Sequence, residues 1–320
     1  MGNKPGERLK RYYDRQGVPA WGRDYRPAIR ATPQEAPRVS RPTTLYSALL
    51  GRDVHLLSQP EAKAAYLALH NPALFDLHEQ RMLSPAPAPH PLQGSPAGAG
   101  LRFDPLPGTV AVAESFGAIK RHPKVYYDFG GGECEWVPLP YIGDLLLFLR
   151  DDQGPYCVNW NIKLTEADYL RRGPTALGRV RRRPLDPGAE LRHLIEEKYY
   201  AAASIRTVRV TASQLDADLI SNLRDLYGWH SREMIASETQ RHAVIEMMRE
   251  RLDDERPAYL LVKETAKATS LSDYDVHVVL YQAIWRRELR IDLFSPLLMT
   301  KRLSSEREDP FERYASWFER

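Results

Sequence analysis

Apolar and polar side chains alternate along GPYCVNWNIK, residues 154–163. Tyr156, Val158, Trp160 and Ile162 fall on one face, and Cys157, Asn159, Asn161 and Lys163 on the other. A period of two predicts a strand. The apolar run before it, CEWVPLPYIGDLLLFLRDD (134–152), predicts another strand ending on charged turn residues, and Gly154-Pro155 reads as the hairpin turn of an antiparallel pair. Upstream, SQPEAKAAYLALH (58–70) predicts a helix, with Ser58 as N-cap, Pro60 and Glu61 in the first turn, and Leu67, Leu69 and the alanines on the buried side. Asn71-Pro72 stops it, and ALFDLHE (73–79) reads as a strand. TVAVAESFGAIKRHP predicts a short helix ended near Gly117, and VYYDF a strand; ELRHLIEEKYYAAAS then reads as a helix and RTVRVT as a strand. This order of helices and strands is an α/β pattern.

Other stretches lack such periods. Residues 1–42, rich in Arg, Pro and Gly, read as a flexible basic arm. Residues 84–108 read as a Pro-rich surface insertion outside the core, and 171–187 as an inserted basic loop. The α/β domain thus spans 43–211. From 212 to 320 the pattern is mostly helical; helix, turn, helix and two short strands within AYLLVKETAKATSLSDYDVHVVLYQAIWRRELRIDLFSPLLMTKRL fit a winged-helix domain. Ser304 to Arg320 is charged and reads as peripheral.

A net charge of +3 over 320 residues supplies no global basic field. Cys134 and Cys157 are too few for a disulfide framework or a zinc cluster. No apolar run has the length of a membrane span and no secretory segment opens the chain, so the expectation is a cytoplasmic protein.

The chemistry centres on Asp144, an acid set between apolar residues in PYIGDLLLFL. A buried carboxylate needs a partner, because an unpaired buried charge is costly. The hairpin brings Asp144 near Asn161-Ile162-Lys163. By spacing alone, that juxtaposition admits two readings: a surface hairpin closed by an Asp144–Lys163 salt bridge, or a reactive centre. The second is similar to the acid-then-polar-x-Lys arrangement of restriction-endonuclease-like nucleases. It implies a divalent metal held by a carboxylate, a polar residue and the next backbone carbonyl, with the lysine neutralising charge on the phosphorane.

Further boxes carry a more specific resemblance. LLSQPEAKAAYLALHNPALFDLHEQRMLSP holds Ser58, Glu61, Asp76, Leu77, His78, Glu79 and Gln80. VAVAESFGAIKRHP closes on His122-Pro123, and IGDLLLF, GPYCVNWNIK and LIEEKYY follow. In this order, from about Val54 to Trp229, they resemble the TnsA family of transposon-end endonucleases. The resemblance implies a restriction-endonuclease-like domain with a mixed sheet, then a winged-helix part. It implies hydrolysis of a phosphodiester at the 5′ side of transposon ends, with Mg²⁺ as cofactor and Mn²⁺ as a substitute. It also implies partners: double-stranded DNA, a TnsB-like DDE transposase and a TnsC-like AAA+ regulator. Carried over by position, Glu61, Asp144, Asn161 and Lys163 are catalytic, and Glu61, Asp144 and the Ile162 carbonyl hold metal. Asn161 stands where the family has Gln, one methylene longer. Arg171, Arg172, Arg181, Arg182 and Arg183 of the basic loop are candidate phosphate contacts. Two rivals stay open: a catalytically silent DNA- or protein-binding adaptor of the same fold, and a phage or defence nuclease with the same core.

Overall fold

The computed structural model describes residues 5–37, 41–130, 133–170 and 186–320. Their contacts separate into two units, one of residues 1–64, 73–213 and 317–320, the other of 65–72 and 214–316. In the first unit the elements are α1 (Pro5–Gln16), β1 (Thr43–Ser47), β2 (Arg52–Leu56), the first turn of α2 (Gln59–His70), β3 (Leu74–Glu79), β4 (Met82–Leu83), α3 (Thr109–Ser115), β5 (Lys124–Asp128), β6 (Cys134–Pro138), β7 (Tyr141–Ile142), β8 (Leu145–Asp151), β9 (Gly154–Lys163), α4 (Pro187–Ala201) and β10 (Arg206–Thr211).

A four-stranded mixed sheet ordered β10-β9-β8-β3 organises this unit. β3 and β9 both run antiparallel to β8, and β10 runs parallel to β9, with Thr211 opposite Lys163. The parallel step requires a crossover, which α4 provides. Asp186 caps that helix through Gly188 N–H, and Pro187 suits the N-terminal turn. β8 and β9 are therefore the two central strands of the sheet, not a surface hairpin. Leu145 to Leu149 are buried on both faces, as the continuous apolar run requires. Leu83, Leu92, Leu106, Phe148, Tyr199 and Tyr200 belong to one core cluster.

Several expectations are corrected. Of the stretch 1–42 expected as a flexible arm, the described residues 5–37 are folded: α1 buries Leu9 and Tyr12, and Arg15 spends its charge on Glu35 and on the Pro27 and Ala28 carbonyls. The 84–108 stretch is not outside the core: Leu92 and Leu106 are fully buried, and an Ala88–Leu106 bridge closes the loop. Residues 134–152 form three strands, because Pro138, Pro140 and Gly143 interrupt the ladder. The β8–β9 turn is Asp152-Gln153, and Gly154, at a φ of 110°, already pairs with Asp151. Ser304 to Arg320 is not wholly peripheral either. The Trp160 indole donates to the Trp317 carbonyl at 2.8 Å and the Tyr156 hydroxyl to that of Phe318 at 3.0 Å, so the tail covers the apolar face of β9.

In the second unit α5 (Ala217–Tyr227), α6 (Glu238–Arg249), α7 (Ala258–Thr269), α8 (Asp273–Trp285) and α9 (Pro310–Arg313) follow. Helix, turn, helix is present, with Ser272 capping α8. The expected pair of wing strands reduces, among the described residues, to a single bridge between Ile291 and Ser305.

Candidate active site

The four candidate residues approach from separate segments of the first unit. Glu61 comes from the first turn of α2, Asp144 from the residue before β8, and Asn161 and Lys163 from the end of β9. Asp144 Oδ2 accepts from the Ile162 backbone N–H at 2.7 Å and from Lys163 Nζ at 3.3 Å. Lys163 Nζ also donates to the Ile162 carbonyl at 2.8 Å. The salt bridge and the cluster expected of a reactive centre are thus one arrangement, half-buried at the end of the two central strands.

Glu61 is buried, and its carboxylate is ringed by donors. Oε2 accepts from Leu57 N–H at 2.8 Å and Gln80 Nε2 at 2.9 Å, and Oε1 from the Ser58 hydroxyl at 2.7 Å. Ser58 Oγ in turn takes the Glu61 N–H at 3.4 Å, a cap at the entry to α2. Burial raises the Glu61 carboxyl above its ordinary value and the charge of Asp144 raises it further, against the donors and Lys163.

Asn161 faces a different partner set. Its Nδ2 donates to Glu196 Oε2 at 2.9 Å and lies 2.9 Å from His193 Nδ1, both on α4. Asn159 Nδ2 donates to Glu196 Oε1 at 2.9 Å. The Oδ1 atoms of Asn159 and Asn161 are buried and have no hydrogen-bond partner among the described residues. Burial pushes the Glu196 carboxyl up, and burial with the Lys163 and Arg192 charges pushes His193 down to about 3. A Cβ at Gly143, next to Asp144, would stand 3.4 Å from Glu196 Oε1, so this corner has little spare room. The Tyr169 hydroxyl lies 2.7 Å from the Asn161 carbonyl oxygen and 2.9 Å from that of Val210, fixing the ends of β9 and β10 together.

The DLHEQ box serves mainly the scaffold. Asp76 accepts from Gly22 N–H, His78 stacks on Tyr25, and Glu79 forms a buried bidentate pair with Arg52. Gln80 alone of the box reaches the site, and reading residue types did not mark it as a site residue. His193 was also missed; its only signal is its place three residues before Glu196 on the buried side of α4.

Arg171, Arg172, Arg181, Arg182 and Arg183 fall outside the described residues. Glu133 and Glu135 are exposed on or beside the separate β5–β6 pair. In the second unit Arg287 is engaged by Glu306 and Asp309, and His277 stacks on Trp229. Among the described residues no group of three or more His, Cys, Asp or Glu side chains is arranged to hold a metal, and no helix is long and apolar enough to cross a membrane. No protein-family model matches the chain, and no curated protein matches it.

Proposed function

We propose that the chain is a metal-dependent DNA endonuclease of the TnsA-like, restriction-endonuclease-like kind. It would hydrolyse a phosphodiester at the 5′ side of transposon ends, beside a DDE transposase and an AAA+ regulator. One observation carries the reading: Asp144, the Ile162 carbonyl and Lys163 share one hydrogen-bonded cluster at the end of the central strands, to which Gln80 ties Glu61 by bonding both the Asp144 carbonyl and the Glu61 carboxylate.

The donor set suits a hard divalent cation, which prefers carboxylate and carbonyl oxygens and keeps several waters. The chain's own ammonium already stands against Asp144 Oδ2 and the Ile162 carbonyl, so this pair of oxygens is arranged to hold positive charge. Glu61, Asp144 and Ile162 are the residues to hold Mg²⁺ or Mn²⁺. When bound, the ion supplies charge neutralisation and a more acidic water. Lys163 is the cation for the charge that develops on the phosphoryl oxygens. Asn161 spends its amide hydrogens on α4, and its buried Oδ1 has no partner among the described residues. That arrangement accommodates its short side chain: it is anchored from behind and need not reach the metal.

A second reading is a catalytically silent adaptor of the same fold. The lack of a three-ligand cluster among the described residues favours it. Calorimetric titration with Mg²⁺ or Ca²⁺ separates the two. The nuclease reading expects a binding isotherm for the intact chain that vanishes in Asp144→Ala. A flat titration of the intact chain favours the adaptor and ends the catalytic reading. Binding is the primary readout because partners gate cleavage in this reading.

A further inference from the structure

Gln80 follows β3 with a φ of 49°, in the left-handed region. Glycine is the residue that adopts this conformation at no steric cost. A long side chain held there is strained, and such strain persists where the surroundings impose it. Those surroundings are specific. The Gln80 N–H donates to the Asp144 carbonyl at 3.0 Å, and its own carbonyl accepts from Ala28 N–H at 3.1 Å and Gln16 Nε2 at 3.1 Å. With its backbone fixed at both ends, Gln80 is 3 % exposed, and its amide reaches Glu61 Oε2 at 2.9 Å.

One residue therefore grips both segments that bear the candidate metal carboxylates, Asp144 through its backbone and Glu61 through its side chain. The grip also decides which part of Glu61 stays available. An ionised carboxylate has about four acceptor positions. Leu57 and Gln80 take those of Oε2, and Ser58 takes one of Oε1. The remaining position lies on Oε1.

We infer that Gln80 is a positioning residue: it holds the Glu61 carboxylate so that Oε1 alone is presented to a divalent cation or its water. The inference rests on the nuclease reading above. Partners of ligating carboxylates usually tune metal affinity by about 10- to 100-fold. Without the Gln80 amide, Oε2 regains an open acceptor position, and only the Leu57 N–H and the Ser58 hydroxyl still hold the carboxylate.

The left-handed backbone makes a clean test. Gln80→Gly removes the amide and relieves the strain, so it should melt no lower than Gln80→Ala. Gln80→Ala removes the same amide and keeps the strained backbone. Both should raise the half-saturating Mg²⁺ concentration in calorimetry by about tenfold, while a purely structural Gln80 would alter melting alone. Metal affinity equal to the parent in both variants overturns the inference and leaves the nuclease reading standing. A parent chain that binds no metal overturns both.

Discussion

The two faces of β9 are equally inaccessible yet chemically opposed. On one, Val158, Trp160 and Ile162 are buried, and Trp160 meets Trp317 edge-on with ring centroids 6.0 Å apart. On the other, Asn159 and Asn161 are just as buried, but they bind Glu196 and leave acceptor atoms with no partner among the described residues. An apolar face gains stability from burial, whereas a polar face loses some unless every group is matched. The unmatched atoms lie beside Asp144 and Lys163. The strand's stability therefore comes from one side, and its chemistry is tolerated on the other.

The largest effect should come from the apolar face. Trp160→Ala removes a fully buried indole and its bond to Trp317, a loss of about 3–5 kcal/mol in denaturant unfolding. A loss below about 1 kcal/mol would break the contrast. Next comes Lys163→Ala at the polar end. On the nuclease reading proposed above, cleavage by the assembled system should fall by about 10²–10³-fold with duplex affinity nearly unchanged, since one transition-state donor is lost. Equal losses of binding and cleavage would instead make Lys163 a phosphate anchor.

The smallest effect has the opposite sign. Burial and Asp144 raise the Glu61 carboxyl above its ordinary 4.5, so the fold opposes the ionised form. That contribution to stability declines as pH climbs from the unfolded value through the raised folded one. Glu61→Gln keeps an oxygen for Leu57 and Gln80 and gives Ser58 a donor in place of an acceptor. In metal-free buffer the variant should therefore be more stable at pH 8, by something of order 2 kcal/mol, with the gain shrinking toward pH 5. A gain that grows as pH falls would reverse the assignment.

Much of this was legible beforehand, for local reasons. Alternation located β9, the apolar run located β8, and Ser58 with Pro60 located the start of α2. The antiparallel approach of Asp144 to Lys163 then followed from a hairpin, although its turn is Asp152-Gln153 and not the expected Gly154-Pro155. Long-range partners hid the rest. The arginines of α1 look like a basic arm until Glu35 is placed against Arg15. Prolines mask Leu92 and Leu106, whose burial depends on the rest of the core. A left-handed glutamine leaves no mark in a composition, so Gln80 reads as a motif letter until its φ and its bond to Glu61 are known. His193 looks like any helix-face histidine until Asn161 is placed opposite it.

Cys157 sits on the polar face of β9 and is buried, while Cys134 is exposed; both are free thiols. The chain thus carries its own stopwatch. An alkylating reagent is consumed first at Cys134, and at Cys157 only when the central sheet opens. The slow phase, read by mass, reports the opening free energy of the strand that bears Lys163, with no added label.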